Sequence, residues 1–332
     1  MKPFWALRMH TDGQLPFAKL QQMTREELTA GEVTIEVHYS GVNYKDALAG
    51  TGKGKILKKF PLNAGIDASG VVLESSDARF KPGQKVLLNG QGIGESYDGG
   101  FAEVLRAHAD ALVPLPDGLT LRESMILGTA GFTAALALHR MEVNGQKPEL
   151  GPILVTGASG GVGSFAVQLF SHAGYEVHAV SGKHEAINYL KTLGAHTVLR
   201  PDELQLGTRP LESVRYGGAV DNVGGEMLAQ VLGHVQLWGN VAAIGMAQSA
   251  ELKTTVMPFI LRGVSLLGTS SNNCDHALRF ELWKKLAQEW KPKQLEKILT
   301  KTVELKDLTL AFEDLLNRKS FARTLVQIRS HE

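Results

Sequence analysis

The chain has 332 residues, 43% of them hydrophobic and 21% charged, with a formal net charge of +1. That length suits two domains better than one core, and the near-neutral balance excludes the strongly basic face of a nucleic-acid binder. Cys274 is the single cysteine, which rules out an internal disulfide and fits a reducing compartment. Met1 to Met9 lacks a signal-peptide pattern, and no run of about 18 apolar residues is present. A cytoplasmic location with no membrane partner is therefore expected.

Taken in chain order, the first third predicts short strands and turns. Val33 to Tyr39 alternates as a half-buried strand does, and Ala68–Leu73 and Lys85–Asn89 are further strands between Gly-rich and Pro-Gly turns. Many short strands with frequent turns predict a β-rich domain. Arg122–Met141 is Ala- and Leu-rich and predicts a long helix, interrupted by Gly128 and Gly131. Strands and helices then alternate. Strands are predicted at Ile153–Thr156, Glu176–Val180, Thr197–Leu199, Ala219–Asn222, Gly239–Ile244 and Val264–Leu267. Helices are predicted at Ser164–Ala173, Glu185–Leu193 and Glu226–Val235. This βαβ alternation implies a parallel sheet covered on both faces, the doubly wound Rossmann architecture. Leu278, Leu282 and Leu286 mark an amphipathic helix over Asp275–Trp290. Leu308–Asn317 is a last helix and Arg323–Ile328 a closing strand.

The sharpest motif follows the first strand of that alternating region: Val155-Thr156-Gly157-Ala158-Ser159-Gly160-Gly161-Val162-Gly163-Ser164. Ala158, Gly160 and Gly163 fill the slots of a Gly-x-Gly-x-x-Gly fingerprint between a strand and a helix. Gly160 is expected to let the backbone approach a pyrophosphate, and Gly163 to let the helix pack on the sheet. The anion is then expected on the helix N-terminus, where free N–H groups and the dipole favour it. The next strand discriminates cofactors. Its C-terminal end, Val180-Ser181-Gly182-Lys183, lacks the acid that usually binds an NAD ribose. A hydroxyl and a cation stand there instead, suited to the 2′-phosphate of NADP(H), and Arg200 adds a second charge. The plain alternative is a solvated turn.

With these residues in view, the chain resembles the medium-chain dehydrogenase/reductase superfamily. Within it the resemblance is to the quinone-oxidoreductase-like branch, and most closely to bacterial NADPH-dependent acrylyl-CoA reductases. The carrying segments are Asn43-Tyr44-Lys45-Asp46-Ala47-Leu48, Thr51-Gly52-Lys53-Gly54-Lys55, Gly65-Ile66-Asp67-Ala68-Ser69-Gly70 and Gly128-Thr129-Ala130-Gly131-Phe132-Thr133-Ala134. The glycine loop, Thr255 to Arg262 and Arg323-Thr324-Leu325-Val326 complete the set. One departure is Ala64, where relatives commonly have Pro. The resemblance implies an α/β fold in which a Rossmann domain, residues 125–270, is inserted into a GroES-like β-rich catalytic domain made of residues 1–124 and 271–332. It also implies a homodimer.

Alcohol dehydrogenases of this superfamily bind zinc through Cys and His. Here the segment that carries a ligating His in zinc-dependent relatives reads Gly65-Ile66-Asp67, and the eleven histidines are scattered, so no metal is expected. Without a Lewis acid, reduction of an alkene conjugated to a carbonyl is easier to run than alcohol–ketone chemistry, because hydrogen-bond donors and a proton source suffice. The resemblance places Tyr44 at the nicotinamide cleft as a hydrogen-bond or proton donor, with Asn43 and Asp46 beside it as catalytic-site candidates. It places Thr129, Asp221, Met246, Ile260, Ser270 and Arg323 along the nicotinamide pocket. Lys53, Lys55, Lys58 and Lys59 form a basic cluster suited to the phosphates of coenzyme A, or simply to solvent. Three readings stay open: an acrylyl-CoA reductase, a quinone or enone reductase, and a non-enzymatic NADPH-binding protein.

Overall fold

In the computed structural model, which describes residues 2–13 and 15–329, strands β1 (Phe4–Thr11) and β2 (Pro16–Met23) open the chain. The sequence pattern predicts neither. β1 is buried along most of its length, so it lacks the period-two polarity that reveals a half-exposed strand. The chain continues through β3 (Val33–Val42), α1 (Tyr44–Gly50), β4 (Leu62–Asn63), β5 (Asp67–Ser75), β6 (Lys85–Asn89), β7 (Val104–Ala107), β8 (Val113–Pro114) and α2 (Leu121–Val143). Next come β9 (Ile153–Val155), α3 (Gly161–His172), β10 (Val177–Val180), α4 (Ala186–Thr192), β11 (Thr197–Leu199), β12 (Tyr216–Asp221), α5 (Gly225–Leu232), β13 (Val235–Ala243), α6 (Met257–Arg262) and β14 (Ser265–Gly268). The last elements are α7 (His276–Ala287), α8 (Leu295–Ile298), β15 (Leu299–Val303), α9 (Leu308–Leu316) and β16 (Arg323–Gln327).

The chain divides into two compact units, the first formed by Met1–Thr129, Ser271–Lys291 and Leu295–Glu332, the second by Ala130–Ser270 with Pro292–Gln294. Unit one holds a sheet of order β15-β16-β3-β5-β6-β8, with β7 pairing β3, and a smaller sheet of order β2-β1-β4. Val33, Ile35, Val37, Val72, Val86, Leu88 and Leu105 form one of its cores. A second core gathers Leu7, Met9, Phe101, Leu308, Phe312 and Val326. β16 pairs antiparallel with β3, Thr324 opposite Val42, so the end of the chain completes a sheet begun by residue 33.

Unit two carries a six-stranded sheet of order β11-β10-β9-β12-β13-β14, parallel throughout. Numbered from β9, this is 3-2-1-4-5-6, the order of the dinucleotide-binding Rossmann fold. The direction of winding reverses between β9 and β12, and ligands of such sheets bind outside the strand ends at that point. Leu154, Val180, Ala219, Val231, Val235 and Val241 belong to its core. No helix among the described residues is long and apolar enough to cross a membrane.

Two sequence expectations change in detail. The segment after Asn43, for which the sequence pattern predicts no element, is helix α1, with Asn43 as its N-cap and the Asp46 carboxylate accepting the Asn43 N–H at 2.9 Å. Of the two glycines expected to interrupt α2, only Gly128 does so, with φ 48° and ψ −154°; Gly131 stays helical.

Candidate functional site

The predicted site residues fall into two groups, one in each unit. In unit two, β9 ends at Val155 and the chain turns through Gly157, at φ +58°, into α3. The helix starts at Gly161 with Gly160 as its N-cap. A Cβ at Gly163 would lie less than 3.0 Å from backbone atoms of Gly157 and Ala158, so only glycine allows α3 to seat on the turn. Gly160 differs. A Cβ there meets only the Gly157 carbonyl, at 3.3 Å. The fold itself hardly demands that glycine, which matches a position reserved for something that approaches from outside.

Around this turn the side chains lock to one another. Ser181 Oγ donates to Ser159 Oγ at 2.9 Å, and the Lys183 N–H donates to Ser181 Oγ at 3.1 Å. The Ser181 N–H donates to Leu199 O at 3.0 Å, which puts Arg200 beside Ser181 at the strand ends. A Cβ at Gly182 would meet nothing within 4 Å. Arg200 is exposed and already engaged, its guanidinium gripping Asp202 through Nε and Nη2 at 3.1 and 3.0 Å. The second charge expected at the strand ends is thus present, with Asp202 as its partner.

At the winding reversal, Thr156 Oγ1 donates to Asp221 Oδ1 at 2.7 Å. The other Asp221 oxygen accepts the N–H of Gly224 at 2.7 Å. Asp221 is fully buried and burial raises its carboxyl above the usual range. Its side chain therefore holds the ends of β9 and β12 together, a task that sequence inspection misses along with Thr156 and Asn222. Met246 and Ile260 are open to solvent, at 61% and 72% exposure. Ser270 closes the main segment of unit two.

In unit one, Asn43, Asp46, Thr129 and Arg323 come together around a residue that the sequence marks only by the histidine missing beside it, Asp67. Its carboxylate accepts from the Thr129 N–H at 3.0 Å, from Thr129 Oγ1 at 2.7 Å and from Asn43 Nδ2 at 2.7 Å. Arg323 Nη2 stands 3.7 Å away. The guanidinium is almost completely enclosed, at 2% exposure. It donates to Ile126 O, Val42 O and Asn43 Oδ1 at 2.9, 2.9 and 3.0 Å. Arg323 is thus enclosed within unit one rather than presented as an open cation. Asp46, equally buried, accepts the Ile66 N–H at 3.0 Å. Burial, reinforced by the negative charge of Asp67, pushes its carboxyl up to about 7.

Tyr44, the first residue of α1, is 48% exposed, as a residue that meets a ligand must be. Lys53, Lys55, Lys58 and Lys59 lie on the segment after α1, Lys59 among its exposed positions. That segment is tied down by the Lys58 N–H donating to Glu95 O at 2.8 Å. Lys45, between Tyr44 and Asp46, is paired with Glu95.

The region 29–117 matches the model of the alcohol dehydrogenase GroES-like domain, and 161–289 that of zinc-binding dehydrogenases. The acrylyl-CoA reductase AcuI of Ruegeria pomeroyi is 45% identical over 314 residues, 94% of this chain and 95% of that one. The chain belongs to the medium-chain dehydrogenase/reductase superfamily. Another member, YhfP of Bacillus subtilis, named provisionally as a quinone oxidoreductase, is 43% identical over 98% of this chain and 99% of its own. A crystal structure of Bacillus subtilis yhfP with NAD bound superposes with a TM-score of 0.96 at 42% identity, over 99% of this chain and 100% of that one. The yhdH oxidoreductase of Salmonella enterica, solved in complex with NADP, is 46% identical with a TM-score of 0.94, covering 98% of this chain and 100% of its own. Zinc is part of the chemistry of many superfamily members, but the donor set here does not fit it. Ile66 is apolar, and no group of three or more His, Cys, Asp and Glu among the described residues is placed to hold a metal.

Proposed function

We propose that this member of the superfamily binds NADP(H) and reduces the carbon–carbon double bond of acrylyl-CoA to propionyl-CoA without zinc. The observation that carries the reading is the near-full-length identity to an acrylyl-CoA reductase. Ser159 to Gly163 fit the pyrophosphate, with the helix N-terminus supplying N–H groups to the anion. Ser181, Gly182 and Lys183 fit the 2′-phosphate, and Arg200 joins them. NADPH, when bound, supplies the hydride. The protein must then stabilise negative charge that collects on the thioester oxygen and deliver a proton to the neighbouring carbon. The half-exposed Tyr44 hydroxyl is the donor for one of these tasks, and Asn43 and Asp46 hold its helix. Thr129, Met246, Ile260 and Ser270 serve the nicotinamide end, whereas Asp221 and Arg323 contribute by fixing the backbone near it. Lys53 and Lys55 attract the phosphates of coenzyme A.

A second reading, a quinone or enone reductase, draws on the name of the Bacillus subtilis relative. NADPH oxidation measured side by side with acrylyl-CoA, crotonyl-CoA and a quinone separates the two. The expected result is the highest kcat/KM on acrylyl-CoA; a quinone as the best substrate overturns the first reading. Dialysis against a chelator should leave the rate unchanged. The same reading takes the chain as a homodimer. β14 is the last strand of its sheet, and Leu237, Trp238 and Val256 expose apolar side chains that a second copy can cover. A monomer mass by light scattering overturns that part.

A further inference from the structure

The break in α2 has a cause in unit one. In an unbroken helix the Met125 carbonyl would accept the Thr129 N–H four residues on. Here Thr129 N–H turns to the Asp67 carboxylate, 3.0 Å from each oxygen. The carbonyls left at the end of the first helical segment turn to Arg323, Ile126 O at 2.9 Å and Met125 O at 3.3 Å. Asp67 therefore caps the start of the second segment and Arg323 caps the end of the first, each with the charge that its helix terminus favours. The backbone is cleared for them. A Cβ at Gly128 would stand 2.5 Å from Asp67 Oδ2 and 2.7 Å from Arg323 Nη2, and one at Gly41 would also collide with Nη2. The same carboxylate reaches the other candidate element, because Asn43, the N-cap of α1, donates to it at 2.7 Å.

We infer that Asp67 is a positioning residue of the proposed reduction. One carboxylate sets both Thr129 and, through Asn43, the turn that presents Tyr44. The inference rests on the functional reading above, since it needs a reaction whose groups are positioned. A neutral amide at 67 cannot accept from Thr129 and Asn43 together with two equivalent oxygens, and it takes from the enclosed Arg323 the carboxylate that stands 3.7 Å away. The two elements should then drift relative to one another while the glycine loop of unit two is untouched.

The test compares Asp67→Asn and Thr129→Val with Asp98→Asn in the full-length protein. Asp98 belongs to the other buried aspartate–arginine pair of unit one, with Arg8 at 3.4 Å, and accepts from Asn63 and Thr29 backbone N–H groups at 2.8 Å. Asp67→Asn is expected to lower turnover at least about tenfold, because small misplacements of reacting groups are felt mainly in the chemical step. KM for acrylyl-CoA and the NADPH dissociation constant, read from nucleotide fluorescence, should stay near wild-type. Thr129→Val, which removes the 2.7 Å hydroxyl contact to Asp67 and leaves the backbone N–H in place, should lower turnover in the same direction by less. Asp98→Asn should lower the melting temperature and leave turnover alone. Wild-type turnover in a folded Asp67→Asn overturns the inference. If that variant does not fold, wild-type turnover in Thr129→Val overturns it. A wild-type protein that reduces none of acrylyl-CoA, crotonyl-CoA and quinone overturns both this inference and the functional reading; the variants alone speak against this inference.

Discussion

At Gly163 in unit two, an added methyl group would run into backbone of the preceding turn; at Gly128 in unit one, it would run into a carboxylate and a guanidinium. Both glycines make room, but for different things. The nucleotide turn of unit two is shaped by main chain, from Gly157 to the start of α3, with short hydroxyl side chains as braces. The cluster of unit one is shaped by charged side chains, each with several partners and almost no contact with water. A main-chain site depends on what is missing at a few neighbouring positions. A side-chain cluster depends on what is present at positions far apart, here 43, 46, 67 and 323.

The sharpest way to break this contrast is at the glycines of unit two. Gly163→Val should abolish NADPH binding and destabilise the fold, since backbone atoms cannot yield to the new side chain. Gly160→Ala should fold with a normal melting temperature yet bind NADPH weakly, read by fluorescence titration. Equal binding by wild type and Gly160→Ala would mean that the pyrophosphate does not approach there. A smaller effect belongs to the strand-end cation. Lys183→Glu should weaken NADPH more than about tenfold and spare NADH, because a charge-assisted phosphate contact contributes about 1.5–3 kcal/mol. Equal Michaelis constants for NADPH and NADH in the wild type would count against the phosphate assignment.

In unit one, Lys53→Ala with Lys55→Ala should raise KM for acrylyl-CoA several-fold and reduce its salt dependence, with little change in turnover. Unaltered kinetics would leave the segment as a solvated surface. The smallest expected effect is on stability. The Asp46 carboxyl, faced by Asp67 from β5 and Arg323 from β16, is raised from 3.8 to about 7 in the folded protein. Between those values the folded state holds the proton that the unfolded chain releases, so stability from this group is full at low pH and is lost as pH rises through about 7. The melting temperature of the wild type, relative to Asp46→Asn, should decline by a few degrees from pH 5 to pH 8, at about 2–4 °C per kcal/mol. A flat difference between the two proteins would show that the carboxyl is ionised throughout.

The same contrast explains what can be read from sequence. The Rossmann strands β9, β10 and β11 and the Gly160–Gly163 turn are legible because strand, turn and helix follow each other within a few residues. The absence of an acid after Val180 is legible for the same reason. Asp67 is not legible as a hub, because its partners lie at 43, 129 and 323 and only the fold assembles them. Helix α1 is hidden by its brevity, although Asn43 followed by Asp46 is a cap signal that could have found it. Strand β1 escapes because its enclosure removes the polar alternation. Arg200 looks available in the sequence, yet the acid that pairs with it, Asp202, sits only two positions away.

Arg323 gives the guanidinium that seals residues 42, 43, 125 and 126, and it lies near the end of the chain. During synthesis the ribosome therefore delivers every residue of the nucleotide sheet before it delivers the group that closes the first unit. Unit two can assemble as soon as its own segment has emerged, whereas unit one must wait, with the edge of β3 that β16 will cover still unpaired. A nascent chain halted before Arg323 should consequently bind nucleotide sooner than it resists protease at its amino-terminal half, and chaperones that shield open strand edges have their longest window there.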